Sequence, residues 1–513
     1  MRWRPPIESE REQVVASRLR ASSKFYRFLW EIRRELFGNG FEEALIQSYQ
    51  PRGQDPCPPA MLAMVLLLQR YEGLSDAAAV DAAENDRRWQ LVLGTLGREK
   101  APFGQGSLVR FRMRMIGHDL DRKLVDRTVE LAKRTGKFGW KKLRVALDSS
   151  PLEGAGRVED TWNLIGRAMS KVLHAVSLAL EVEESEVIRE AKLTVLEGQS
   201  VKGALDIDWD DDDAQRSALK RLLDEVSRLE DWVARRAKKQ AAEPPLKDAL
   251  ALLRRVVDQD TEPDPSDGRP RIKEGVAADR VISIGDPEMR HGRKSKTKRF
   301  DGYKRHVTIA NGLILATAVE PANVSEYVPA PRLLSAAERH GKIEILDIDR
   351  GYLPSPAVEQ HHRDGVTVHC RPWRVNKHVG LFTKEDFQID LRRRRIVCPA
   401  GKMARIFPSG TTWFSAGDCG RCSLKPQCTT GRHRSIQIHR QEDLLLQLRR
   451  RRRTRLGRAE LRKRVAVEHR LARVGAIQGR RARYFGARKN ELDLNRAAAI
   501  ANLHVLAGLR AAV

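Results

Sequence analysis

GYKRHVTIANGLILATAVEP, residues 302–321, decides the fold class. Val307 to Ala310 and Leu313 to Val319 are aliphatic and β-branched, and the Asn311-Gly312 pair between them suits a two-residue turn with positive φ at both positions. The stretch predicts an antiparallel hairpin. Working outward, short apolar runs recur at Leu143 to Leu147, Ile343 to Ile348 and Val366 to Cys370, with a helix expected at about 326–339 and a shorter one before Val366. Strand, hairpin, helix, strand, helix, strand is the order of an α/β domain with a mixed sheet.

Two segments interrupt that order. Residues 161–278 are expected to be a helical insertion, with Leu219, Leu222, Val226, Leu229 and Val233 on one face and the acidic run Asp210 to Asp213 ahead of them. The run lacks the interleaved Gly and spaced Glu of a calcium loop, so it reads as a solvated turn and helix start. Thr261 to Gly275, rich in Pro and Asp, reads as an exposed linker. Residues 372–445 form a second, basic insertion carrying Cys398, Cys419, Cys422 and Cys428. The sheet core is then 138–160 with 279–371, followed by C-terminal helices at 446–513. Residues 1–137 read as an all-α domain: Phe25, Phe28, Leu29, Ile32 and Leu36 keep helical spacing, and Gly73 with Ser75 as an N-cap reads as the turn of a helix-turn-helix. Ser107 is expected to cap a further helix that carries Arg110, Arg112 and Arg114 toward phosphates.

A chain of 513 residues is too long for one ordinary core. Its 95 Lys and Arg against 68 Asp and Glu leave a net charge of +27, a field that favours a polyanion and above all nucleic acid. The charge is concentrated: Arg449 to Lys489 holds 17 Lys or Arg and two acids, Glu460 and Glu468. The longest strongly apolar stretch, Met61 to Leu68, is far short of the roughly 20 residues of a membrane span. The N-terminal residues lack the apolar stretch of a signal peptide, so a cytoplasmic protein is expected. In a reducing compartment six cysteines do not read as a disulfide scaffold. The spacing Cys398-x20-Cys419-x2-Cys422-x5-Cys428 resembles a structural Zn²⁺ site, the alternative being free, partly buried thiols.

Three acids stand apart by context. Asp148 and Asp349 follow short apolar strands, and Glu468 sits in the Arg-rich helical segment. Carboxylates so placed can converge on hard divalent cations. Asp347, two residues before Asp349, shares its strand face and stays an open alternative. Asp286, in Gly285-Asp286-Pro287-Glu288, reads as a turn residue.

Asp148 with the SSPLEGAGRVEDTWNLIG that follows it, DPEMRHGRKSKTKRFDGYKRHVTIANGLILATAVEPANVSE from Asp286, the DRGY of Asp349, CPAGK at Cys398 and the terminal RYFGARKN with NRAAAIANL together resemble a bacterial insertion-sequence transposase of the DDE type. The resemblance implies an N-terminal helical transposase domain and a ribonuclease-H-like core. It implies Asp148, Asp349 and Glu468 as catalytic residues holding Mg²⁺ or Mn²⁺, with Arg464-x3-Glu468 keeping the Arg-to-Glu spacing of the family. It departs from the family pattern at Leu461, where relatives carry Tyr, and at Gly475, where they carry Lys; Arg470 or Arg473 is expected to supply the missing phosphate contact. Lys304 and Arg464 are expected beside phosphates near the metals. The implied partners are double-stranded DNA, as element ends and target, and a second copy of the chain in a homodimer or larger complex at the bacterial nucleoid, with no membrane. The rival readings are a non-catalytic, domesticated DNA-binding protein and a plain metal-dependent nuclease on the same fold.

Overall fold

The structure, a computed structural model, describes all residues except 1, 6–8, 39, 51–55, 199, 296, 374, 376–379 and 511–513. Its centre is a mixed sheet of six strands: β1 (Lys142–Glu153), β2 (Arg290–Arg293), β3 (Arg299–Ala310), β4 (Leu313–Pro321), β5 (Lys342–Asp347) and β6 (Thr367–His369). β1 lies between β3, which is antiparallel to it, and β5, which is parallel, with β6 parallel beyond β5. On the far side of β3, β4 pairs along residues 303–310 and β2 along 299–302, both antiparallel. The hairpin forms as its sequence predicts. Asn311 at φ 53° and Gly312 at φ 77° make the primed turn that matches strand twist.

β1 runs beyond the expected Leu143 to Leu147 and carries Asp148 in its middle. The polar residues after Leu147 stay extended because β3 pairs with them through to Glu153↔Gly302. The parallel neighbour β5 stops at Ala146↔Asp347. Asp148 thus stands where the sheet loses a strand on one side.

From Glu10 to Arg134 the regular elements are helices, and their apolar residues join one side of the sheet in a single continuous core. Gly73 closes the helix Pro59–Glu72 in the left-handed region and Ser75 caps Asp76–Asn85 by accepting from the Ala78 amide. The helix with Arg110 starts at Gln105 with Gly104 as its N-cap, so Ser107 lies inside its first turn rather than capping it. The segment 161–260 is helical apart from its turns and encloses a separate core that reaches to Val281 and Ile284. Asp211 caps the helix Asp212–Arg236, accepting from the Asp213 and Ala214 amides, as the acidic run suggests. The expected linker after it is instead partly ordered. Thr261–Pro263 pairs with Pro270–Ile272, because Asp264 accepts from the Ser266 amide and hydroxyl and tightens the connecting turn.

The final helix, Ala487–Arg510, seals the sheet edge. An edge strand exposes unpaired backbone groups, and here Asn502 accepts from the Ile314 amide and donates to the Ile314 carbonyl and Thr128 hydroxyl. Asn495 does similar work between Thr317 and Asp121. In the same helix Arg496 is fully buried, answered by Asp493 at 2.7 Å and the Tyr484 hydroxyl at 3.0 Å. These polar pairs account for the NRAAAIANL pattern.

Candidate active site

Asp148 is buried to 9% exposure. Its Oδ1 accepts from the Ser149 amide at 2.9 Å and from Nη2 of Arg464 at 2.9 Å. The other amino group of Arg464 lies 3.8 Å from Oδ1 of Asp349. Asp349 follows β5, opens the 3₁₀ turn Arg350–Tyr352 and is more than half exposed. One guanidinium therefore bridges two aspartates about 200 residues apart in the chain. Burial pushes the Asp148 carboxyl above its ordinary range, while Arg464 and the Ser149 amide pull it down and Asp349 adds to the rise.

Arg464 stands at the start of the helix Val465–Gln478, and Glu468 is one turn further along the same face, about 6 Å of helix rise away. Glu468 is exposed and shares the wall of an open cleft of about 730 Å³ with Asp349. Six arginines line that cleft with them: Arg350, Arg371, Arg452, Arg458, Arg462 and Arg464. The structure thus joins Asp148 to Asp349 through Arg464 and places Glu468 beside Asp349. It does not draw all three acids into one cluster: among the described residues, no three His, Cys, Asp or Glu side chains are grouped so as to hold a metal ion.

Asp347 faces other partners. Its carboxylate takes Arg144 at 2.6 Å and lies 3.2 Å from His369, and Arg144 continues to Glu460 at 2.6 Å. These ion pairs hold its carboxyl below the ordinary range against the burial that raises it. Asp347 and Asp349 diverge because β5 ends between them. Asp286 is fully buried, accepting from the Tyr303 hydroxyl at 2.5 Å and the Gly486 amide at 3.0 Å, so it ties the loop before β2 to the final helix.

The sequence does not reveal a polar chain that lies under the two aspartates. Glu326 Oε1 accepts from the Ser149 hydroxyl at 2.7 Å, and the other face of the same carboxylate lies against Gly351, where an added Cβ would meet Oε2 at 1.8 Å. Glycine in the DRGY block is explained by that approach, not by its φ. The Tyr352 hydroxyl is 2.7 Å from Nδ1 of His306, whose burial drives its pKa down to about 3 and keeps the ring neutral. The one available signal is Ser149 directly following Asp148; nothing in the sequence pairs it with a glutamate 177 positions away.

The expected cationic residues divide. Arg110 is exposed. Arg112 is buried and paired with Asp76 at 2.8 Å, and Arg114 stacks on Tyr49 at 4.2 Å. Lys304 is half-buried and donates to the Val324 carbonyl at 2.8 Å. Arg470 lies against the Gly312 turn. The guanidinium nearest Gly475 is that of Arg305, buried among the Ser150 hydroxyl, the Gln478 side chain and the carbonyls of Pro151 and Gly479. Arg350, Arg371, Arg452, Arg458 and Arg462 carry the positive charge that lines the cleft beside Arg464.

The four cysteines expected to act together all line one small cavity in the segment after β6. Burial and the sulfurs of Cys419, Cys398 and Cys422 push the Cys428 thiol up, opposed by Arg434.

Residues 397–507 match the family model of a transposase DDE domain, and residues 18–114 match that of a transposase domain, DUF772. Glu468 and the four cysteines fall within the first match; Asp148 and Asp349 fall between the two. No curated protein and no solved structure matches the chain. Two transposase domains, one at each end of a mixed α/β chain, define the class as transposase. Together the two matches support an insertion-sequence DDE transposase.

Proposed function

We propose that the chain cleaves DNA at the ends of an insertion sequence and joins the freed 3′ ends to target DNA, with Asp148, Asp349 and Glu468 as its catalytic carboxylates. The observation that carries this reading is the Arg464 bridge: two aspartates distant in the chain share one guanidinium one turn before a glutamate, and Asp349, Arg464 and Glu468 line an arginine-rich cleft. The strand sequence β4-β3-β1-β5-β6, with the first three antiparallel and the last two parallel to β1, supports a ribonuclease-H-like core.

The donor set fits Mg²⁺ or Mn²⁺ in chemistry. It consists of hard carboxylate oxygens, the ligand type that such cations take. Bound divalent cations would supply Lewis-acid polarisation of the scissile phosphodiester and a nucleophile active at neutral pH. Water attack breaks the P–O3′ bond and leaves a 3′-OH. Attack of that hydroxyl on target DNA forms one P–O bond as another breaks, so no nucleotide cofactor is required. The chain's own residues position these steps. Glu326 and Ser149 fix the strand at Asp148, the Tyr352–His306 pair fixes the turn at Asp349, and Arg464 keeps two like charges together until phosphate enters. Sequence-independent affinity for double-stranded DNA comes from the cleft arginines. Pairing two element ends calls for at least two copies of the chain.

Duplexes carrying candidate element ends, incubated with Mg²⁺ or Mn²⁺, test the reading. Strand-specific nicks and joined products are expected, and Asp148→Asn should abolish both while DNA binding persists. Nicks without joining would favour a nuclease. The guanidinium held between Asp148 and Asp349 favours one rival, a DNA-binding protein without catalysis; binding with no cleavage by the unaltered chain would establish that instead. Among the described residues no helix is long and apolar enough to cross a membrane.

A further inference from the structure

We propose that Cys398, Cys419, Cys422 and Cys428 bind one Zn²⁺ ion that staples residues 382–438 into a rigid wall beside the arginine cleft. The proposal does not depend on the transposase reading.

All four thiols are free, half-buried and directed to one cavity of about 30 Å³, enough for roughly two water-sized spheres and so for a single ion. They arrive from three separate turns. Cys398 ends the strand Arg395–Val397 in a tight turn closed by its amide on the Lys402 carbonyl at 2.8 Å. Cys419 and Cys422 flank the end of the short helix Ala416–Gly420, and the Cys428 amide closes on the Lys425 carbonyl at 2.9 Å. Four thiols brought from three turns to the wall of one cavity match a tetrahedral site in number and chemistry, and soft thiolates select Zn²⁺ over hard cations. As they stand the sulfurs surround the cavity without forming a coordination sphere.

Two further observations point to an ion. The first is electrostatic. Lys402, Lys425 and Arg434 line the same cavity against a single acid, Asp418, a surplus of cations that would offset the negative charge of a tetrathiolate complex. The second concerns stability. The segment is built from two small sheets, Gln388–Asp390 with Arg395–Val397 and Met403–Arg405, and Thr411–Trp413 with Ser435–Gln437. Its own buried core is six residues: Phe387, Ile396, Ala404, Ile406, Phe414 and Ile436. A core so small does not hold a unit of that length, and natural units of this kind are stapled by disulfides or a metal.

The staple has a purpose in the fold. Glu385 of this segment reaches Arg449 at 3.6 Å and Arg453 at 3.7 Å. With Thr383 it lines a second cleft of about 710 Å³ that shares Arg452 and Arg458 with the first. Fixing the segment therefore fixes one side of a continuous basic surface.

Elemental analysis of the purified full-length chain should find one zinc per chain, retained in Cys370→Ser and lost in Cys398→Ser and in Cys422→Ser. Because a serine variant can misfold for other reasons, the unaltered chain supplies a second test. Exchange of its metal for Co²⁺ should give the intense visible bands of a tetrahedral thiolate complex, and a thiol reagent should reach four more cysteines after chelation than before. Metal-free protein whose thiols Zn²⁺ does not protect would overturn the proposal, as would a mass showing two of the four lost as a disulfide. Zinc binding without DNA cleavage would leave this inference standing and remove the proposed activity.

Discussion

Arg464→Gln removes the cation that touches both Asp148 and Asp349, and the structure sets the size of the loss. Breaking a buried ion pair from one side costs about 3–5 kcal/mol, because the remaining charge stays desolvated. Here the side chains of Arg464 and Asp148 are 18% and 12% exposed, whereas that of Asp349 is 59% exposed, so the second contact adds little. The expected destabilisation is about 3 kcal/mol near pH 8. It should shrink toward acid. Burial raises the Asp148 carboxyl in the folded chain, so the folded state binds its proton more tightly than the unfolded state does. Such a group contributes stability that is fully present below the unfolded pKa, about 4, and is lost as pH rises through the folded value. Arg464 opposes that rise, so without it the folded value climbs further and the loss extends to higher pH. Urea midpoints at pH 5 and pH 8, for the parent, Arg464→Gln and Arg464→Gln with Asp148→Asn, measure this directly. The penalty should be smaller at pH 5, and its pH dependence should vanish in the double variant. Equal penalties at both pH values, or a pH dependence that survives the double substitution, would refute the argument.

Gly351→Ala drives a Cβ into Glu326, whose Oε2, Cδ and Cβ lie 1.8, 2.8 and 3.1 Å from its position. A loss of about 2 kcal/mol is expected, with Glu326→Ala relieving roughly half of it in a double-mutant cycle; strict additivity would contradict the contact. Asn502→Ala strands the amide and carbonyl of Ile314 at the edge strand and should cost about 2–3 kcal/mol, read as a shifted urea midpoint at unchanged slope. Arg452→Ala and Arg458→Ala, on residues shared by both clefts, should each lower the slope of log affinity for duplex DNA against log salt by about 1. An unchanged slope would remove that surface from the DNA path.

What the sequence disclosed was what neighbours in the chain decide. The Asn311-Gly312 turn is legible because two adjacent residues tolerate positive φ, and the Ser75 cap because its acceptor lies three residues from its donor. Arg464 and Glu468 share a helix face by spacing alone. The length of β1 was hidden, because Asp148, Ser149, Ser150 and Pro151 have weak strand preference and stay extended through pairing with Lys304 to Val307, more than 150 residues away. Thr261 to Gly275 misled in the same way: turn-forming residues read as a linker also suit a tight hairpin.

The site shows the limit most clearly. Periodicity puts Asp347 and Asp349 on one face and cannot separate them; the separation comes from Arg144, across a parallel strand pair, and from the end of β5 between the two acids. Charge counting sees Arg110, Arg112 and Arg114 as equals, yet Asp76 consumes Arg112 and Tyr49 covers Arg114. In a chain with 95 cations, composition points to a polyanion, but which cations meet it depends on which carboxylates have already taken the rest. By that criterion Arg449, Arg453 and Arg464 are taken by Glu442, Glu385, Asp148 and Asp349, whereas among the described residues the cleft arginines Arg350, Arg371, Arg452, Arg458 and Arg462 have no carboxylate partner. The local shortage of counter-ions, rather than total charge, is what the proposed contact with phosphate draws on.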